Sequence, residues 1–413
     1  MAATPTRSSE ATRSTTSSLA DSEPLVHVGA ALIDGATTAG DLVRGEAFSW
    51  ANPPDPDAFF QTRYERHVAL PALTGTPREL RVLTYNVGLL SRRYAVFSKV
   101  EVPEIDARRA IVGDTVFAAG YDVVFFQEAW EKDDLAAIIA SGEAAGYSVW
   151  GGDGNKFHKE TGTIIAVKSE LIGGEETREQ GQYEAQWGLE NFPGPNLKRG
   201  WLERSFPLAD TGITVHLYDT HPTAFADEWQ VRNLQARELG LKVAAEPAED
   251  LVLVGGDLNA GWYYAGDTWT DAEGTVIPDW FANATMLPIL LHYGGLDDAK
   301  NAASPNEDVL LGNTVPRDNG ATMLEEPFGD ATFCTNTEPT TFTATDCNSL
   351  YFRNYAGTEF PARLDQILYR DGTGRVRFVD QALAFVEPMD FGDAGTFELS
   401  DHYGVEVTLQ IGE

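Results

Sequence analysis

Three observations on the 413-residue chain predict an α/β fold. Short apolar runs that read as strands alternate with segments carrying a helical stripe. Several of those runs end in a polar cluster, as strands do where a rigid sheet positions reactive groups. No fixed period repeats along the chain, which sets aside solenoids and propellers. Composition agrees: 43% hydrophobic and 23% charged residues are ordinary for a globular protein.

The first twenty residues hold ten Ser or Thr and no apolar run, so residues 1–25 are expected to form a disordered tail without a signal-peptide core. Residues 26–78, with the turn-prone Asn52-Pro53-Pro54-Asp55-Pro56, read as an extension packed on a main domain that spans 79–413. That domain opens with the β-rich run Leu80 to Val87. A helix is predicted from Ile105 to Ala119, with Gly120 placed to end it. The buried strand Val123-Val124-Phe125-Phe126 ends in Gln127-Glu128. A helix (Asp133 to Ala144), a strand (Gly162 to Val167) and a strand (Thr214 to Asp219) that enters Thr220-His221 come next. A long helix from Asp227 to about Ala245 precedes Leu251-Val252-Leu253-Val254, which runs into Gly255-Gly256-Asp257-Leu258-Asn259. Between Asn259 and Asp365 lie 105 residues, read as an insertion at about 260–360. The chain closes with Leu364-Asp365-Gln366-Ile367 and Ser400-Asp401-His402-Tyr403-Gly404-Val405.

Charge and cysteine content narrow the function classes. Against 30 Lys and Arg stand 63 Asp and Glu, a net charge of −33 that repels phosphate backbones and anionic lipid. Nucleic acid is therefore the less expected partner. No apolar stretch approaches the ~20 residues of a spanning helix. Cys334 and Cys347, 13 positions apart, leave two readings: one disulfide worth about 3 kcal/mol in an exported protein, or two thiols in a cytoplasmic one.

Singly, Asp and Asn at strand ends make turn hydrogen bonds, and a lone His is usually a satisfied structural residue. Six such clusters in one chain exceed that explanation. Asn86, Glu128 and Asp401 offer hard oxygen donors without thiolate, which suits Mg²⁺ or Mn²⁺, with Ca²⁺ a third candidate. The chain has neither a Gly-rich phosphate cradle of the P-loop kind nor a Gly-x-Ser-x-Gly elbow. Metal-assisted attack of water on phosphorus remains. An Asp–His pair would generate the nucleophile, and a second His and an amide would stabilise the phosphoryl charge.

Taken in order, Leu83-Thr84-Tyr85-Asn86-Val87, Gln127-Glu128, Thr220-His221, Gly256-Asp257-Leu258-Asn259, Leu364-Asp365-Gln366-Ile367 and Ser400 to Val405 resemble the endonuclease/exonuclease/phosphatase superfamily. The resemblance implies a deoxyribonuclease-like four-layer α/β sandwich, two packed mixed β-sheets flanked by helices. It also implies roles. Glu128 is the principal metal ligand, with Asn86 and Asp401 beside it. Asp257 orients or deprotonates the water, and Asn259 donates to a phosphoryl oxygen. His402, polarised by Asp365, is the base, and His221 is the phosphate-binding histidine on the leaving-group side.

Within that superfamily, Thr220-His221-Pro222-Thr223-Ala224 with Arg232 and Gln235 resembles the neutral and bacterial sphingomyelinases. This implies a phosphodiesterase of phospholipase C type acting on a choline phospholipid, with a nuclease of the same fold as the alternative. An inactive surface-binding protein is the reading from another class. Membrane-surface contact is expected from the 260–291 segment, which holds Trp262-Tyr263-Tyr264, Trp269, Trp280-Phe281 and Met286 to Leu291; a satellite core is the competing reading. Lys198-Arg199-Gly200-Trp201 reads as an exposed basic turn, with approach to a phosphate as the alternative. Export is the expected location, the cytoplasm the alternative.

Overall fold

The structure is a computed structural model and describes residues 73, 77–95, 98–152, 161–186, 198–224, 228–260, 268–270, 276–278, 286–298, 314–316, 322–324, 348–350 and 364–412. The expected tail 1–25, nearly all of the 26–78 extension, and Cys334 and Cys347 lie outside the described residues.

In chain order the elements that build the domain are β1 (Arg78–Asn86), α1 (Ile105–Arg109), α2 (Val112–Ala118), β2 (Val123–Gln127), α3 (Lys132–Ala144), β3 (Tyr147–Trp150), β4 (Ile164–Lys168), β5 (Thr177–Gln182) and β6 (Gly200–Leu208). They continue with β7 (Ile213–Thr220), α4 (Trp229–Ala244), β8 (Leu251–Asp257), α5 (Met286–Gly294), β9 (Asp297–Asp298), β10 (Asp365–Asp371), β11 (Val376–Ala384) and β12 (Gly404–Ile411). Two six-stranded mixed sheets result, ordered β11-β12-β1-β2-β4-β3 and β9-β10-β8-β7-β6-β5.

The apolar runs have a direct cause: both faces of each central strand are covered. Along β2, Val123 and Phe125 turn inward to a core shared with Leu217, Leu253 and Val407. Val124 and Phe126 turn outward to Val116 and Phe117 of α2. Period-two alternation therefore feeds two cores from one strand. Helices α1–α3 cover the first sheet, and α4 with α5 covers the second, giving the predicted four layers. Gly255 of β8 lets the sheets approach closely, since a Cβ there would lie 2.2 Å from Cδ2 of Phe125.

Two expectations need correction. The helix foreseen over Ile105–Ala119 is two helices, because Ile111 leaves helical geometry (φ −126°) and its N–H bonds to the Arg108 carbonyl, three residues back. Gly120 does close the second helix, at φ +73°. Within the expected membrane-contact segment, Met286, Leu287, Ile289, Leu290 and Leu291 are buried in α5, which packs on α4, and so form core rather than a lipid face. Trp262, Tyr263, Tyr264, Trp280 and Phe281 lie outside the described residues, as does the side chain of Trp269.

Strand register carries the clusters to one edge. Asn86 pairs with Gln127 across β1 and β2. Asp257 stands directly opposite Asp365 across β8 and β10. Gly256 pairs with Thr220, so Asp257 and His221 follow side by side. Gln127 then ties the sheets together: its amide donates to Asp219 Oδ1 at 2.8 Å, and Asp219 Oδ2 accepts from the Ile164 N–H at 3.0 Å.

Away from that edge, beneath α4, His216 is wedged among carboxylates. Its Nδ1 lies 3.0 Å from Glu246 and 3.4 Å from Glu203, and its Nε2 lies 3.0 Å from Asp250. Lys242 approaches Glu203 at 3.2 Å. Burial disfavours the imidazolium, but the hydrogen bonds to Glu203 and Asp250 and the Glu246 charge outweigh it and raise the proton affinity of His216. A raised folded-state value gives stability that is complete below the unfolded value of ~6.5 and is lost as pH rises through the folded one. His216→Gln is expected to cost about 1–3 kcal/mol at pH 6 and to remove that part of the pH dependence. Urea denaturation of both proteins at pH 6 and pH 9 checks this; equal differences at the two pH values would contradict it.

Candidate active site

Each polar cluster sits where an apolar strand stops, and the two sheets bring their ends together. From the first sheet, Asn86 donates from Nδ2 to Asp257 Oδ2 at 2.9 Å, while its Oδ1 accepts the Gly88 N–H at 2.9 Å. From the second, Asp257 Oδ1 accepts the Asn259 N–H at 2.9 Å, and His221 Nε2 lies 3.4 Å from Asp257 Oδ2. His402 Nδ1 meets Asp365 Oδ2 at 2.7 Å. One ligating atom from each of Asp257, Asp365 and His402 falls within 4.8 Å of the others.

Asp401 reaches the same place through Ser400, whose hydroxyl donates to the Asn86 carbonyl at 2.6 Å. Glu128 follows Gln127 at φ +65°, and Asn259 has φ +48°. Left-handed backbone is costly for residues with a side chain, and such strain concentrates at functional sites. Here it turns the chain sharply at two strand ends.

Electrostatics follow from crowding. Burial, then the charges of Asp401 and Asp257, push Glu128 up to about 8, with His402 and Arg199 opposing. Asp257 is buried too, but the charge of His402 and the hydrogen bonds from the Asn259 N–H and Asn86 hold its carboxyl below the usual range. Burial disfavours the His402 cation, yet the Asp365 charge and hydrogen bond raise its proton affinity well above that of a free imidazole. His221 goes the other way: burial, with Arg199 and His402, keeps it neutral, and its buried Nδ1 has no hydrogen-bond partner among the described residues. Crowded oxygen donors with no thiolate, among which Glu128 retains its proton, fit a hard divalent cation.

All eight expected residues, Asn86, Glu128, His221, Asp257, Asn259, Asp365, Asp401 and His402, are at this edge. Arg199 corrects its reading as an exposed turn. It is 7% exposed, its guanidinium stands 5.1 Å over the Trp130 ring, and Nη1 donates to the His221 carbonyl at 3.4 Å; Lys198 alone is exposed. Arg232 and Gln235 lie behind the site and pin the loop after His221: Arg232 donates to the Thr223 carbonyl at 3.0 Å, and Gln235 accepts the Thr223 N–H at 2.8 Å. Trp130 was missed. Its ring lies 5.7 Å from that of His221, and its position two residues after Glu128 was the available signal.

Gly88 is indispensable on two counts: φ is +55°, and a Cβ would sit 2.2 Å from Asp401 Oδ1. Gly88→Ala is expected to displace Asp401, to cost about 1–3 kcal/mol of stability, and to slow turnover about a hundredfold. Thermal melting and steady-state kinetics test it; unaltered turnover would show that Asp401 is dispensable.

A two-sheet sandwich with carboxylates, amides and histidines gathered at one edge defines the deoxyribonuclease-like class. The profile of the Endonuclease/Exonuclease/phosphatase family matches residues 83–402, and the chain belongs to that family. No curated protein matches the chain. Similar solved structures include TDP2 of D. rerio complexed with single-strand DNA product (17% identity, 80% of this chain and 98% of that one, TM-score 0.49). Sphingomyelinase C from Streptomyces griseocarneus is 18% identical over 80% of this chain and 99% of that one, with TM-score 0.48. Beta toxin from Staphylococcus aureus is 18% identical over 79% and 99%, with TM-score 0.48.

Proposed function

We propose that the chain is a divalent-metal-dependent phosphodiesterase that cleaves a choline phospholipid to phosphocholine and the lipid alcohol. The observation that carries the chemistry is the Asp365–His402 pair at 2.7 Å, facing Asp257 within 4.8 Å and beside a Glu128 that retains its proton to about pH 8. Glu128, Asn86 and Asp401 would hold Mg²⁺ or Mn²⁺, with Ca²⁺ as the third choice; when bound, the ion polarises a phosphoryl oxygen.

The remaining steps belong to side chains. Asp257, ionised at neutral pH, accepts the proton of the attacking water. His402 is held cationic by Asp365 in the metal-free protein, and in this reading it stabilises phosphoryl charge while Asp257 serves as the base. Asn259 spends one N–H on the Pro222 carbonyl at 3.1 Å and keeps the other for a phosphoryl oxygen. Neutral His221 offers a ring N–H on the opposite side, where the leaving alcohol departs.

The lipid reading is supported by net charge: −33 opposes a polyanion and tolerates a zwitterionic head group. Membrane contact through the Trp and Tyr residues of 262–281 and an extracellular location, with Cys334 bonded to Cys347, are parts of the same proposal. Purified protein with Mg²⁺ is to be assayed side by side on sphingomyelin vesicles and plasmid DNA. Phosphocholine release with intact plasmid supports the reading, and nicking without phosphocholine replaces it with the nuclease. Neither product would leave the surface-binding protein.

A further inference from the structure

Arg108 is fully buried, 0% exposed, and lies in none of the polar clusters. Among the described residues its guanidinium makes four hydrogen bonds, all to backbone carbonyls. Nη1 donates to Val87 at 2.8 Å and to Leu399 at 3.3 Å, Nη2 donates to Gly88 at 2.6 Å, and Nε donates to Pro103 at 3.2 Å. Val87 and Gly88 directly follow Asn86; Leu399 precedes Ser400 and Asp401. One rigid fork thus spans two loops separated by some three hundred positions, and each loop delivers an oxygen donor to the site.

Burying a cation is expensive, and an apolar side chain would fill the space more cheaply. Carbonyl oxygens satisfy the N–H groups, and the Asp401 charge favours the cation from nearby. What a hydrocarbon cannot supply is a set of diverging donors with fixed angles. The junction is tight elsewhere too. Gly88 presents its carbonyl to Arg108 and leaves no room for a side chain, since a Cβ there would lie 2.2 Å from Asp401 Oδ1, and Ser400 Oγ closes the third side on the Asn86 carbonyl at 2.6 Å.

We infer that Arg108 is a positioning residue of the cation site, fixing the spacing between Asn86 and Asp401 by clamping the loops that carry them. The inference rests on the proposed metal-dependent reading. Charge and geometry oppose each other here, which makes the role separable. Removing a positive charge from beneath a cation site would by itself tighten a divalent ion, whereas loss of the clamp weakens it.

The test uses the full chain, its Arg108→Lys variant, which keeps the charge but loses the fork, and its Arg108→Met variant, which fills the space without charge. Mn²⁺ affinity is read by titration calorimetry, folding by thermal melting, and kcat and KM on whichever phosphodiester the wild type cleaves. Both variants are expected to fold and to bind Mn²⁺ at least tenfold more weakly, with the loss in kcat larger than any change in KM. Folded variants with unchanged or tighter Mn²⁺ binding overturn the inference, even if they melt earlier. Failure of both variants to fold also overturns it, because Arg108 would then support the domain as a whole. A wild type that neither binds Mn²⁺ nor cleaves any phosphodiester defeats the functional reading itself, and that outcome is visible before a variant is made.

Discussion

Asp257→Ala lowers turnover by about a hundred- to ten-thousandfold, the range expected when a general base is removed. The carboxylate is held ionised by the charge of His402 and by hydrogen bonds from Asn86 at 2.9 Å and the Asn259 N–H at 2.9 Å, so its acceptor oxygen is already directed. The fold should survive, since removing one of several crowded carboxylates relieves repulsion. His402→Ala brings a comparable kinetic loss but a different stability result. It removes the 2.7 Å hydrogen bond of Asp365, which is 0% exposed, a change that costs about 1–3 kcal/mol. His402→Gln, which can still donate, should recover part of the stability and none of the rate. Steady-state kinetics and melting curves on the three proteins decide it; Asp257→Ala at wild-type turnover would move the base elsewhere.

Removal of divalent ions by EDTA is expected to abolish activity, and Mg²⁺ or Mn²⁺ to restore it. Stability should respond as well. Because the folded-state value of Glu128 is raised to about 8 from the ordinary 4.5, the metal-free fold loses stability as pH climbs from the unfolded value through the folded one. An ion that binds only the native state reverses this, by about 2.7 kcal/mol at a hundred times its Kd. Ion binding at pH 7 must also expel the Glu128 proton, which calorimetry in two buffers of different ionisation enthalpy detects. Activity persisting after thorough chelation, with no proton release on adding metal, would rule out ion-assisted chemistry at these residues.

The strand-end clusters were legible because the strands are covered on both faces: Val123 to Phe126 and Leu251 to Val254 read as unbroken apolar runs, and the first polar residue after each marks the edge. Sequence order then sufficed to gather Asn86, Glu128, His221, Asp257, Asn259, Asp365, Asp401 and His402. Less was legible where one residue type serves two purposes. Met286 to Leu291 is as apolar as a lipid-facing stretch, and only its packing on α4 shows it to be core. Arg199 is basic and sits next to exposed Lys198, and nothing local announces that a Trp130 ring waits for it. The partners of Arg108 are carbonyls, which every residue has, so no pattern of side chains could reveal it. The left-handed turn at Glu128 is equally silent, because glutamate, unlike glycine or asparagine, does not favour that backbone.

Asn86 and Glu128 ride on one sheet while His221, Asp257 and Asp365 ride on the other, and the slab between them is closed by Phe125 seated in the notch at Gly255. Catalytic geometry is in that sense a readout of interior thickness. Substitutions that swell or thin the oily middle would retune the chemistry from a distance without altering a single reacting group, and a laboratory lineage selected for speed should accumulate changes there as readily as at the rim.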